Sequence, residues 1–336
     1  MTSPEISQSS APPPVSAADA PGRGFSRRRL MLLGAASLGL SGTLVAGADI
    51  LRRNALPCSD GGCSLGSLRD GIASRSAARP GPDIFEEVMP ERGINTGVRF
   101  GDAIQKVIAA GVLDPAKFRA QGARVPHWVE RLMAAPSAES IVFTRERAPW
   151  LVNLLWPIGL ANKAAFNRRS LINTVRLPGF ASTGGWTLGR APNGSAYFNC
   201  VDAVPLTDRQ AFLALAIATN TFRPCCDNNT FFQDCNHGSA LLGLIELAVS
   251  QGATADRIYR IALTANSFWF PEQYARTAQY FTRFAKRPWR RVSAPQVLSA
   301  GYSSLSGWQR HIDAPLRQAK IAPPLDPRAQ PATCAL

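Results

Sequence analysis

Two stretches of this chain have no polar face. Ala148 to Ala161 and His237 to Gln251 are apolar nearly all the way round a helix. A helix without a polar side is buried on most sides, so the chain must build a body that encloses both. With 336 residues, 46% of them hydrophobic, it is long enough to do so. Neither stretch reaches the ~18 uninterrupted apolar residues of a membrane span.

The neighbouring segments follow the same period. Phe100, Ile104, Val107 and Ile108 share one helical face that stops at Gly111. Asp114-Pro115 has the pattern of a helix cap followed by proline in the first turn. Another helix starts at His127-Trp128, where His127 is expected to pack or face solvent. Thr207 caps a helix over 208–221, with Phe212, Leu215, Ala216 and Phe222 on one face. Thr254 caps a further helix, and Pro271 opens one that stacks Tyr274, Ala278, Phe281 and Phe284. Ile141-Val-Phe-Thr is a candidate strand, and Asn193-Gly194 a turn between two short strands. The expected fold is mainly α: a single compact helical domain over 81–312 with a few short β segments. Glu246 lies inside the second apolar stretch. A carboxylate there needs a partner, and Arg257 or Arg260 is the expected one.

Between the helices lies Arg223-Pro-Cys-Cys-Asp-Asn-Asn-Thr-Phe-Phe-Gln-Asp-Cys-Asn-His-Gly238. It gathers three of the seven cysteines (Cys225, Cys226, Cys235) and one of the three histidines (His237). Three chemistries suit such a loop. As metal ligands, three thiolates and an imidazole fit zinc or copper, with Asp234 or Asn236 capping the next helix. As a structural staple, Cys225 or Cys226 pairs with Cys235, with Cys200 available to the other thiol. Closing a loop of about ten residues contributes about 2–3 kcal/mol. As a reactive thiol, Cys225 or Cys226 is activated by His237, oriented by Asp234 or Glu246. The Cys-x-x-Cys-His of haem attachment is absent.

Two other motifs carry less. Gly62-Cys-Ser-Leu-Gly66 has the form of a hydrolase nucleophile turn, but no strand precedes it. The glycines of Phe180 to Gly189 lack the lysine of a phosphate-binding loop. Cys58 and Cys63 flank turn residues and are placed to close a small disulfide in an oxidising compartment. Cys334, close to the C-terminus, is the expected unpaired thiol.

The N-terminus bears on location. Residues 1–22 are rich in Ser, Pro and Ala and are expected to be disordered. Ser26-Arg27-Arg28-Arg29-Leu30 precedes an uncharged, weakly apolar run, Met31 to Ala48, ending in Ala46-Gly47-Ala48. This resembles a twin-arginine (Tat) export signal with a small-x-small cleavage pattern. The resemblance implies recognition of Arg27 and Arg28 by the Tat translocase, a cargo folded before transport, and a periplasmic or secreted destination. The alternative is a membrane anchor formed by residues 30–48. On this reading 1–48 is leader, 49–80 a stalk and 313–336 a flexible tail. The net charge of +14 suits an anionic surface or membrane, while export argues against nucleic acid as partner.

The Gly184-Gly-Trp-Thr-Leu-Gly189, Pro224-Cys-Cys, Asp234-Cys-Asn-His-Gly238 and Trp269-Phe-Pro271 motifs together resemble a family of uncharacterised prokaryotic exported proteins. That resemblance covers most of 81–312 and implies no activity.

Overall fold

The two all-apolar stretches pack against each other in the core of the helical body. They form α3 (Ala148–Ala161) and α5 (Asn236–Ser250). Glycine permits the close approach. A side chain at Gly159 would collide with the Ser239 carbonyl, and one at Gly243 would stand 2.7 Å from the Leu155 carbonyl oxygen. Backbone meets backbone here, and α3 and α5 are buried along nearly their whole length.

The computed structural model describes residues 84–120, 124–180 and 188–322, all within the unit Ser74–Leu336. Arg27, Arg28, the run 30–48, the stalk with Cys58 and Cys63, residues 184–187 and Cys334 lie outside the described residues. Among the described residues the architecture is mainly helical, with one small antiparallel sheet. No helix among the described residues is long and apolar enough to cross a membrane.

The sheet pairs β1 (Ile94–Gly101) with β2 (Ser137–Phe143). Thr96, Val98 and Phe100 turn inward with the two-residue period of a strand. Phe100 therefore ends a strand instead of starting a helix, and α1 (Ala103–Ala109) begins after it. Next to β2 lies α2 (His127–Ala134), whose His127 is exposed and contacts Arg131. Asn193 caps a 3-10 turn, Gly194–Tyr197, so the expected pair of short strands is not formed there.

The predicted caps hold. Asp114 accepts from the Ala116 and Lys117 amides. Thr207 and Gln210 close a capping box on α4 (Asp208–Thr219). Thr254 accepts from the Arg257 amide at the start of α6 (Ala255–Trp269), and Pro271 opens α7 (Pro271–Arg283). The buried side of α4 differs from expectation. Ala214, Ile217 and Ala218 face inward, whereas Phe212 is 75% exposed. This helix is apolar on more sides than the body covers, so its sequence does not say which side is covered.

The body continues to Ala314–Gln318, which buries Leu316. Asp313 holds that end through ion pairs to Arg276 of α7 and to Arg317.

Among the described residues Glu246 has no arginine partner. Arg257 instead donates to the Thr96 carbonyl of β1 at 3.1 Å. The Glu246 carboxyl is fully buried, and neither oxygen has a hydrogen bond of good geometry. Burial pushes its pKa well above the usual carboxylate range, with the nearby Asn162 amide pulling weakly the other way.

Candidate metal centre

The loop from Arg223 to Cys235 joins α4 to α5 and is held on three sides. At its start, the Phe222 amide donates to the Leu298 carbonyl (2.8 Å), and the Phe222 carbonyl accepts from Asn266 Nδ2 (2.9 Å). In its middle, the Leu305 amide donates to the Cys226 carbonyl (3.0 Å), and the Ser306 amide to Asp227 Oδ1 (2.8 Å). The Ser306 amide holds the Asp227 carboxyl below its ordinary value. At its end the chain enters α5. So many backbone anchors leave the loop little freedom to rearrange.

Cys225, Cys226 and Cys235 converge. Their sulfurs lie within 4.8 Å of one another. Cys225 Sγ is 4.0 Å from both Cys226 Sγ and Cys235 Sγ. A disulfide bond is about 2.05 Å long, so no staple joins these residues and all three are thiols. Adjacent residues in an extended chain point to opposite sides. Instead the turn after Pro224 brings both sulfurs to the same side, facing the start of α5.

Cys235 is the N-cap of α5, a role expected of Asp234 or Asn236. Its backbone is extended, and its sulfur accepts from the Gly238 amide at 3.3 Å. The helix start thus aims an N–H at the cluster, where partial positive charge favours anionic sulfur.

His237 does not join the sulfurs. The metal-binding group among the described residues comprises the three cysteines alone. The imidazole packs on Phe270 (4.8 Å between ring centres) and edge-on to Trp269 (5.7 Å). Its Nδ1 is buried without a hydrogen-bond partner. Burial lowers its pKa to about 4, partly offset by Cys235. His237 is the second residue of α5 and points to the aromatic wall. Cys200 is apart as well, its thiol donating to the Tyr197 carbonyl at 3.0 Å.

The residue beside the sulfurs that sequence reasoning missed is Arg223. Its guanidinium is completely buried. Nε donates to Cys235 Sγ (3.2 Å), Nη1 to the Asn228 carbonyl (3.2 Å) and Nη2 to Asp234 Oδ1 (2.8 Å). The other oxygen of Asp234 accepts from Asn228 Nδ2 at 2.7 Å. Burial opposes the Arg223 charge. The surrounding Cys235, Cys225, Cys226 and Asp234 outweigh it and hold the proton more tightly than usual. Burial likewise raises the Asp234 carboxyl, with Arg223 acting against it. Arg223 was visible in sequence only as the residue before Pro-Cys-Cys, and nothing local marks an arginine as buried.

The Cys226 thiol is pushed upward by its sulfur neighbours Cys225 and Cys235 and by burial. Three sulfurs this close resist carrying three negative charges together. A bound cation removes that resistance and displaces protons. The cluster can therefore hold a metal ion, and thiolate donors suit soft or borderline ions. No family model, curated protein or solved structure matches this chain.

Proposed function

We propose that this protein binds a transition metal, zinc or copper, through Cys225, Cys226 and Cys235, and serves metal handling or redox chemistry outside the cytoplasm. The observation that carries the reading is the convergence of three thiols within 4.8 Å on a firmly anchored loop. His237 supports the aromatic wall behind the cluster and takes no part as a ligand. Delivery by the twin-arginine route rests on Arg27, Arg28 and the run that follows. A cofactor-bearing cargo suits that route.

The test is elemental analysis and a thiol count on the full chain expressed with its own signal. About one metal per chain, lost in Cys225→Ser, is the expected result. A metal-free protein whose loop cysteines bind no added zinc or copper overturns the reading.

A second reading concerns the surface. Phe212 is 75% exposed and shares a concave patch with Arg168, Arg169 and Leu215. An exposed aromatic beside two guanidiniums, with one carboxylate (Asp208) in the same patch, suits an anionic membrane surface. Sedimentation with anionic vesicles, set against zwitterionic ones, tests it. Equal recovery with both, or no loss of binding in Phe212→Ser, rules it out.

A further inference from the structure

The metal reading leaves open which ion the three sulfurs select, and the geometry speaks to that. Among the described residues no further Cys, His, Asp or Glu joins the cluster, and the Asn228 carbonyl beside Cys226 accepts from Arg223. The nearest carboxylate is committed elsewhere, and the nearest imidazole is turned away. Both Asp234 oxygens are hydrogen-bonded, one to Arg223 and one to Asn228. The His237 ring packs edge-on to Trp269 and tilted against Phe270. Arg223, the group directly against Cys235 Sγ, is a cation and cannot ligate.

The sulfur spacing admits one ion bound to all three. For a metal–sulfur bond of about 2.3 Å, bound sulfurs lie about 3.8–4.0 Å apart. The two sulfur distances from Cys225 are both 4.0 Å, and the third pair stays within 4.8 Å. The donor set, not the spacing, sets the coordination number. Structural zinc is almost always four-coordinate and tetrahedral. Filled d10 ions of the Cu(I) type accept three thiolates without a fourth ligand. Three thiolates leave excess negative charge around either ion, and the buried Arg223 guanidinium, shared with Asp234, supplies a positive charge next to it.

Resting on the metal-binding reading above, we infer that the Cys225/Cys226/Cys235 cluster is a three-coordinate, all-sulfur site for Cu(I). The Arg223 guanidinium is its fixed counter-charge, and His237 is not a ligand. Binding forms three Cu–S bonds and releases to solvent whatever protons the thiols carry. The copper stays monovalent throughout, so no electron donor or acceptor is needed.

The experiment is X-ray absorption on the full chain, reduced and anaerobic, loaded separately with one equivalent of Cu(I) and of Zn(II). The expected copper form has three sulfurs in a single shell and no nitrogen. The zinc form should need an added oxygen from solvent. His237→Phe should bind Cu(I) with unchanged stoichiometry and the same sulfur shell. Cys225→Ser, which leaves the Cys235 cap in place, should lose a sulfur from that shell and weaken Cu(I) at least about tenfold in competition with a chelator. A nitrogen in either metal shell that disappears in His237→Phe overturns the three-coordinate site but leaves metal binding standing. So does a copper shell of two sulfurs. Failure to bind either ion overturns both proposals together.

Discussion

Arg223 Nε donates to Cys235 Sγ across 3.2 Å, from a position with no solvent exposure. A buried guanidinium needs an acceptor for each N–H and an anion nearby. Here a thiol, two backbone carbonyls and Asp234 share that task. The cluster and the cation are therefore one unit, tied together by the short loop that carries both.

Removing the cation should expose that dependence. In Arg223→Met, Asp234 stays in a poorly solvated place without its partner, and Cys235 loses a donor. Breaking a buried pair from one side costs about 3–5 kcal/mol. Urea unfolding of wild type, Arg223→Met, Asp234→Asn and the double variant measures it. The double variant should lose less than the sum of the singles. Additive losses would mean that the pair is not coupled.

Gly238 is the position where the helix start makes room for the guanidinium. A Cβ there would stand 2.5 Å from Arg223 Nη2 and 2.8 Å from Cζ. Gly238→Ala should displace Arg223 from Cys235 while keeping all three thiols. Overpacking of this kind costs about 1–3 kcal/mol. Thermal unfolding should show the loss, and metal binding should weaken without a change in stoichiometry. A variant as stable as wild type would show that Arg223 can move freely.

The α3–α5 crossing makes a harsher demand, because the atoms in the way are backbone. Gly243→Ala meets the Leu155 carbonyl at 2.7 Å and the Gly159 amide at 2.8 Å. Neither can swing aside as a side chain can. The cost should reach or exceed the upper end of the usual overpacking range, about 3 kcal/mol. The denaturation midpoint should fall accordingly. Gly179→Ala is the control for glycine replacement as such: a Cβ there meets nothing and the backbone is not left-handed. A loss at Gly243 no larger than at Gly179 would contradict the close crossing.

Glu246 should make stability depend on pH. Burial raises its carboxyl well above the ordinary 4.5 in the folded state. The folded protein thus holds a proton that the unfolded chain has released. Its contribution is fully present below about pH 4.5 and is lost as pH rises from there towards the folded value. Glu246→Gln should remove that slope, so its advantage over wild type should grow with pH. Glu246→Met, which also removes the unpartnered polar oxygens, should add about 1–3 kcal/mol at neutral pH. Melting temperatures of the three proteins across the same pH series provide the check. Parallel curves would show that Glu246 is not shifted.

Metal should stabilise the fold through the loop. An ion at a hundred times its dissociation constant adds about 2.7 kcal/mol if the unfolded chain does not bind it. Melting of the reduced protein should rise with added metal and fall back on chelation. Cys225→Ser should show little of that rise. An equal rise in the variant would place the bound metal elsewhere.

The helical class was legible in the sequence because it follows from local periodicity. Ala148–Ala161 and the stretch from His237 have no polar face, and a buried helix is the consequence. The caps at Asp114, Thr207 and Thr254 were legible for the same reason, since a cap bonds to amides two or three residues away. The three cysteines could be named because they sit in one loop. What the tertiary structure decided involves partners distant in sequence or a choice between faces. β1 needs β2, about forty residues on, before its alternation has meaning. Which side of α4 is covered depends on what packs against it, and Phe212 fell on the open side. His237 turned to Trp269 and Phe270 on the next helix, and Arg257 to the sheet instead of to Glu246. Arg223 became the counter-charge of the cluster because the fold closed over it. A sequence states which side chains carry charge. Burial, and with it the strength of that charge, belongs to the assembled structure.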